Sequence, residues 1–266
     1  MTLFAAIQLT STNNFEENLL KAISFIEDAA KNGAKVISLP ETFTFVGSIK
    51  KDFNFKIEIN GHLVNKFSEL AKEKNIYLLA GSIHESVSEN EKMYNTAILF
   101  SPEGNIASVY RKIHLFDANL PGPERYYESD NFISGSTEQL LVTETPYGKF
   151  GVTICYDLRF PELYRKLVLK GAEIIFVPSA FTMHTGKEHW EVLLRARAIE
   201  NQVYIVAPGQ FGQHNEKRES YGNSMIIDPW GKVIARASDK EGIIYGDIDL
   251  EYIKVIRQKL PCLSHI

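Results

Sequence analysis

Two short stretches decide the fold: Val36-Ile-Ser-Leu-Pro-Glu41 and Ile174-Ile-Phe-Val-Pro-Ser179, which match in pattern and in their place along the chain. Each is an apolar run too short for a helix, stopped by a proline that has no N–H to give a neighbouring strand. Outward from the first stretch, residues 2–9 read as a strand. Phe15–Lys31 reads as a helix, because Phe15, Leu19, Ala22, Ile23, Ile26 and Ala30 recur at helical spacing and Gly33 ends the run. A helix over 63–74 and a strand over 76–83 follow. Strands 96–100 and 106–110 then flank Ser-Pro-Glu-Gly-Asn, a hairpin turn by its proline and glycine. Outward from the second stretch the order repeats: strand 149–155, helix 161–170, strand 173–177, helix 186–201, strand 203–207. A hairpin of 224–227 and 233–237, turning at Asp228-Pro-Trp-Gly231, precedes a last strand over 243–248.

Each half is thus strand, helix, strand, helix, strand, hairpin. Alternating helices and strands imply a sheet covered by helices, and two such halves meeting face to face give helix, sheet, sheet and helix layers. The expected fold is α/β, a four-layer α-β-β-α sandwich with an internal pseudo-two-fold repeat, in one domain over residues 1–266. Residues 116–138 break the pattern. They are irregular and rich in Pro, Gly, Asn, Asp and Glu, and long ordered loops of this kind often carry function.

Composition narrows the partners. Of 266 residues 44% are hydrophobic and 23% charged, ordinary for a globular enzyme with a sizeable core. A net charge of −4 offers no field for nucleic acid or an anionic membrane, so neither is expected as a partner and a small molecule is. The first residues lack the basic region and cleavage site of a signal peptide, and no apolar run has the length of a membrane span, which points to the cytoplasm. Cys155 and Cys262 are the two cysteines, too few for a disulfide framework and not spaced as a zinc site.

Cys155 follows the apolar run 150–154 and precedes Tyr-Asp-Leu-Arg-Phe-Pro, a sharp strand-to-helix turn that exposes one side chain beside free backbone N–H groups. A free cysteine is more often a small buried apolar residue, so position alone does not make it a nucleophile. Glu41 lies just past a strand's carboxyl end, where α/β sheets gather their sites, and is a candidate general base. Lys112, in Tyr110-Arg-Lys-Ile-His-Leu-Phe-Asp117, follows a strand and is a candidate oxyanion partner. The plainer readings are a solvated acid and a basic surface run. His114, His184, His189 and His214 sit in no signature that singles one out as a thiol partner. His184 and His189 are also not spaced as the i, i+4 pair of a zinc helix, so no metal is expected. Glycine-rich phosphate loops are absent as well.

Taken together, Leu39-Pro-Glu-Thr-Phe43, Tyr110-Arg-Lys-Ile-His-Leu-Phe-Asp117 and Gly151-Val-Thr-Ile-Cys-Tyr-Asp-Leu-Arg-Phe-Pro-Glu162 resemble the motifs of the nitrilase superfamily of carbon–nitrogen hydrolases, in order and across nearly the whole chain. The resemblance implies that Glu41 is the general base, Lys112 the oxyanion stabiliser and proton donor, and Cys155 the nucleophile. It adds Glu128, in the pattern Pro121-Gly122 followed by Glu128-Ser129, as a supporting second glutamate. Ser134-Gly135 stands where the family often has Pro-Gly. No cofactor is implied, and a homodimer or larger homo-oligomer is. In the C-terminal half, Pro178-Ser-Ala-Phe181, the run 189–201 and His214-Asn-Glu-Lys-Arg-Glu-Ser-Tyr-Gly222 resemble the Nit branch. That likeness implies an anionic amide substrate, deaminated glutathione, cleaved to 2-oxoglutarate and cysteinylglycine. Lys217 and Arg218 are then candidates for the substrate carboxylates, with Tyr156 and Phe181 beside the nucleophile. An ω-amidase acting on 2-oxoglutaramate and a non-catalytic binding protein on the same fold are the rival readings.

Overall fold

The structure is a computed structural model that describes residues 1–47, 56–87, 91–119 and 126–266. The first half comprises β1 (Thr2–Gln8), α1 (Phe15–Lys31), β2 (Val36–Ser38), α2 (His62–Lys74), β3 (Tyr77–Ser86), β4 (Met93–Phe100) and β5 (Ile106–Arg111). A short ribbon of β6 (Asp117–Ala118) and β7 (Tyr126–Tyr127) follows. The second half comprises β8 (Thr143–Thr145), β9 (Gly148–Val152), α3 (Pro161–Leu169), β10 (Ile174–Phe176), α4 (Met183–Asn201) and β11 (Tyr204–Ala207). It continues through the ribbon β12 (Phe211–Gln213) and β13 (Glu219–Tyr221) to β14 (Met225–Ile227), β15 (Val233–Arg236), β16 (Gly242–Ile248) and α5 (Leu250–Lys259).

The strands form two six-stranded sheets, ordered β16-β1-β2-β3-β4-β5 and β15-β14-β11-β10-β9-β8. In the first, β1, β2 and β3 run parallel and β4 and β5 add antiparallel. In the second, β9, β10 and β11 run parallel and β14 and β15 add antiparallel. This is the expected repeat. Each sheet has one further antiparallel strand beside its first, β16 on β1 and β8 on β9. The sequence reading missed β8, both ribbons and α5. The strand read at 243–248 is β16, and it joins the first sheet.

Side-chain alternation explains the layers, because successive residues of a strand face opposite sides of the sheet. Phe4, Ala6, Val36, Leu79 and Leu99 join the core shared with Phe150, Ile174 and Phe176 of the second sheet. The Phe4 ring meets Phe150 at 5.8 Å and Phe176 at 6.3 Å. Their neighbours Ala5, Ile7, Ile37, Leu78 and Ile98 face Leu19, Ala22 and Ile26 of α1 and Val64 and Phe67 of α2. On the far side Leu163 and Leu167 of α3 and Trp190, Leu194 and Ala198 of α4 cover the second sheet. Strands apolar on both faces are what a sheet buried between layers demands.

Two boundaries moved for local reasons. α4 begins at Met183, three residues before the expected 186, because the Thr182 side chain accepts the Thr185 N–H and caps the first turn. β9 ends at Val152 instead of 155, so Cys155 opens the 3₁₀ turn Cys155–Arg159.

Candidate active site

Three strand exits deliver the candidate residues. After β2 the chain turns sharply: Thr42 has φ +52°, and its N–H donates to Ser82 Oγ at 2.8 Å, which fixes the preceding Glu41. Only glycine fits at position 81, since a Cβ there would lie 1.8 Å from the Leu39 carbonyl oxygen. After β5, the Lys112 N–H donates to the Asn95 carbonyl at 2.9 Å and its carbonyl accepts from Gly135 at 2.8 Å. After β9, Cys155 takes φ +47° and donates its N–H to the Pro178 carbonyl at 3.0 Å. A left-handed non-glycine residue costs about 1–3 kcal/mol and persists only where its surroundings over-determine it. At Cys155 the surroundings include the fully buried Asp157, which caps the turn by accepting the Ile154 N–H at 3.0 Å.

The side chains converge out of water, with Glu41 4%, Lys112 2% and Cys155 8% exposed. Lys112 Nζ lies 2.9 Å from Glu41 Oε1 and 2.7 Å from Glu128 Oε2. Asn95 Nδ2 donates to both carboxylates, at 2.9 Å each. Glu41 Oε2 accepts the Ala180 N–H at 2.8 Å, and Glu128 Oε2 accepts the Phe116 N–H at 2.8 Å. The Cys155 thiol meets the Glu41 carboxylate and the Ala180 N–H. Its neighbours are therefore a carboxylate, an ammonium and a backbone N–H.

Charge follows from these contacts. Burial raises the Glu41 carboxyl, but the Lys112 ammonium beside it, together with hydrogen bonds from Cys155 and Asn95, outweighs burial and holds it below its usual 4.5. Burial likewise disfavours the Lys112 ammonium, and Glu128 and Glu41 outweigh it, holding the group well above 10.5. Burial and then the Glu41 charge push the Cys155 thiol well above 9.0. The resting site is a carboxylate facing a neutral thiol, with an ammonium alongside. Such a thiol reacts by losing its proton during attack, not as a standing thiolate.

A cavity opens onto the thiol, lined by Phe116, Tyr156, Arg159, Ala180, Phe181, Thr182 and Thr185. Arg159 is its basic residue. The guanidinium sits 5.7 Å from the Tyr156 ring and 5.3 Å from the Phe181 ring, with its Nη1 and Nη2 both 3.3 Å from His189 Nδ1.

The structure thus brings Glu41, Lys112, Cys155 and Glu128 together and puts Tyr156 and Phe181 in the cavity wall. It does not put Lys217 and Arg218 there. They lie in the turn between β12 and β13, where Asn215 Oδ1 accepts both backbone N–H groups at 2.9 Å and the Lys217 side chain is exposed. The likeness of the run 214–222 to the Nit branch, with the charge of both residues, was the signal for them, and neither gives the direction of a side chain. Arg159 was in view inside the cysteine motif, and Phe116 inside the lysine motif. Asn95 and the Ala180 N–H carry no local signal, since both are recruited across the fold. Pro121 and Gly122 lie outside the described residues.

Comparison with known proteins agrees with this architecture. The carbon-nitrogen hydrolase family matches residues 3–258. A deaminated glutathione amidase of Synechocystis sp. is 42% identical over 264 residues, covering 99% of this chain and 97% of that protein. The crystal structure of the C. elegans NitFhit protein superposes with a TM-score of 0.93 at 40% identity, covering all of this chain, which spans 65% of that longer one. Saccharomyces cerevisiae Nit3, a member of branch 10 of the nitrilase superfamily, superposes with a TM-score of 0.88 at 36% identity over 98% of this chain and 94% of its own. With matches of this extent along a chain whose sheets and strand exits are those just described, the protein belongs to the carbon-nitrogen hydrolase family.

Proposed function

We propose that this chain is an amidase in which Cys155 attacks the amide carbonyl while Glu41 takes the thiol proton. The observation that carries the reading is the buried meeting of one carboxylate, one ammonium and one neutral thiol at three strand exits. The attack forms a C–S bond and moves the carbonyl electrons onto oxygen. Lys112 and the Tyr156 backbone N–H, near the start of a helical turn where N–H groups lack intrahelical partners, stabilise that oxyanion. The intermediate collapses, the C–N bond breaks, and the amine leaves with the proton that Glu41 holds. Water then adds to the thioester, giving its proton to Glu41, and the acid departs as the thiol is restored. Glu128 pairs with the Lys112 ammonium at 2.7 Å and holds it beside Glu41.

The substrate we infer is an anionic amide of the deaminated glutathione type, released as 2-oxoglutarate and cysteinylglycine. Relatives at about this identity carry the name deaminated glutathione amidase, and Arg159 at the cavity wall supplies a guanidinium for a substrate carboxylate. The test compares kcat/KM for deaminated glutathione and 2-oxoglutaramate. The first is expected to exceed the second at least tenfold, and the reverse order overturns the assignment in favour of an ω-amidase.

We further read the chain as one domain, since β16 near its end lies beside β1 at its start. Val192, Ile199 and Trp230 expose apolar surface on α4 and on the turn that Arg195 Nε anchors through the Gly231 carbonyl at 2.8 Å, a face suited to a second copy. Light scattering is expected to give a dimer or larger. No helix among the described residues is long and apolar enough to cross a membrane.

A further inference from the structure

We propose that Asp157 is a positioning residue that fixes the separation of Lys112 and Cys155, an inference that rests on the amidase reading above. Asp157 has no exposed surface, and its two oxygens receive four hydrogen bonds. Oδ2 accepts from Tyr110 Oη at 2.6 Å and from the Ile154 N–H at 3.0 Å. Oδ1 accepts from the His114 N–H at 3.0 Å and from His114 Nδ1 at 2.7 Å. The placement of these donors carries the argument. Tyr110 and His114 stand two residues before and two residues after Lys112, while Ile154 precedes Cys155 directly. One carboxylate therefore grips the strand exit that carries the ammonium on both sides, and the turn that carries the thiol on both sides.

A plain N-cap explains the Ile154 contact alone. It does not explain partners 47 and 43 residues away. Of the groups bonded to the Lys112 ammonium, Glu128 leads to the loop beyond β5 and Glu41 meets the cysteine only at its thiol, so neither grips the backbone of the cysteine turn. A carboxylate is the group that suits the place, because it accepts at both oxygens. An amide has one accepting oxygen and sets its N–H against either the Ile154 or the His114 backbone N–H. Burial and then the Asp157 charge push the Tyr110 phenol well above 10.0, so it remains a donor. His114 must donate from Nδ1, as a carboxylate can only accept, and its ring stacks on Phe160 at 3.5 Å and 7°, just past the turn.

The experiment uses Asp157→Asn and Tyr110→Phe, each checked for folding by circular dichroism. It reads kcat and KM for the amide and the pH profile of Cys155 alkylation by iodoacetamide. A misplacement near 1 Å can cost about a hundredfold, so Asp157→Asn is expected to lower kcat at least about tenfold with KM within about threefold. Its alkylation is expected to lose the assistance of Glu41 and to follow the titration of an ordinary thiol, rising steeply toward pH 9. Tyr110→Phe removes one of the four bonds and is expected to lower kcat about two- to fivefold with a smaller displacement of the profile. A merely structural role lowers Tm but leaves kcat per folded site and the alkylation profile unchanged, and that result in either folded variant overturns the proposal. Should Asp157→Asn fail to fold, Tyr110→Phe decides alone. Cys155→Ala separates the two readings: activity in that variant overturns the amidase mechanism itself, whereas its inactivity beside a normal Tyr110→Phe overturns only the role of Asp157.

Discussion

β2 and β10 leave their sheets in the same way, each running into a proline, with Leu39 N–H bonded to the Leu79 carbonyl at 3.0 Å and Val177 N–H to the Val206 carbonyl at 2.9 Å. Glu41 follows the first proline and Ser179 the second. β5 and β15 also match at their ends, where Lys112 donates its N–H to Asn95 and Ala237 donates its N–H to Ser224, both at 2.9 Å. The backbone plan is repeated and the chemistry is not. In the first half these exits carry the carboxylate and the ammonium, with Asn95 bonding both Glu41 and Glu128. In the second they carry Ser179, whose Oγ turns back to the Val177 carbonyl at 3.0 Å, and the uncharged Ala237, with Ser224 in the place of Asn95 accepting the Gly209 N–H at 2.8 Å and serving the scaffold. The second half contributes the thiol from a different exit, that of β9, and the Ala180 N–H that touches Glu41. A repeated fold thus supplies matched strand ends, and residue type at each end decides which one reacts.

Substitutions at matched positions break or sharpen this contrast. The largest effect is expected at Glu41, where Glu41→Gln keeps the shape but cannot take a proton, and kcat should fall by about a hundred- to ten-thousandfold. Lys112→Met leaves Glu41 and Glu128 facing each other without a cation and is expected to cost about 3–5 kcal/mol of stability in denaturant melts as well as activity. A smaller loss, about tenfold in kcat, is expected from Asn95→Ala, which removes the donor shared by the two carboxylates. Its counterpart Ser224→Ala should leave kcat/KM within about twofold while lowering stability by about 1–3 kcal/mol, because it orphans a buried N–H. If both variants lose activity equally, the division between the halves is wrong. Arg159→Ala is expected to raise KM about tenfold for an anionic amide and to spare a neutral one, as steady-state kinetics on both substrates can show.

pH adds a further contrast. The first half buries His84 and the second His214, and burial followed by the Arg218 charge lowers each to about 4. His214 fits its surroundings when neutral, donating from Nδ1 to the Ser11 carbonyl at 2.7 Å and accepting the Ser220 hydroxyl at Nε2, 2.8 Å away. A histidine whose folded pKa is depressed binds its proton first in the unfolded chain. Stability should therefore fall as pH drops from 6.5 toward 4, by an amount on the order of 3 kcal/mol for each residue, and level off below. Glu41 acts in the same direction lower on the scale: its folded pKa lies below 4.5, so its contribution is full above 4.5 and is lost as pH falls through the folded value. Thermal melts between pH 7 and 4 are expected to show the histidine limb, and His214→Gln to flatten it.

How much of this was legible in the sequence depends on the range of the interaction. Strand and helix order was readable because 2.0 and 3.6 periodicities are local, and so were Glu41, Lys112 and Cys155, each inside a compact motif at a strand end. β8 and the ribbons escaped because strands of two or three residues carry too few positions for a period to show. The end of β9 was misplaced because the φ +47° at Cys155 is imposed by Asp157 and Pro178, not by any residue that favours a turn. Asn95 sits within β4, and its amide reaches both glutamates only after β2, β3 and β4 have paired and the loop beyond β5 has closed. Lys217 and Arg218 entered through the likeness of their run to the Nit branch, while Arg159, three residues past Tyr156, stands in a turn that was legible but whose 3₁₀ form, which sets the direction of the side chain, was not.

The central claim is that the reaction runs through an acyl group on Cys155. Acid quench of the enzyme during turnover, digestion and mass spectrometry measure this directly. The account predicts that the peptide containing Cys155 gains the mass of the substrate's acyl group, that hydroxylamine removes it, and that Cys155→Ala shows neither adduct nor turnover. Turnover in Cys155→Ala, or an acyl mass found on Cys262 instead, would contradict it.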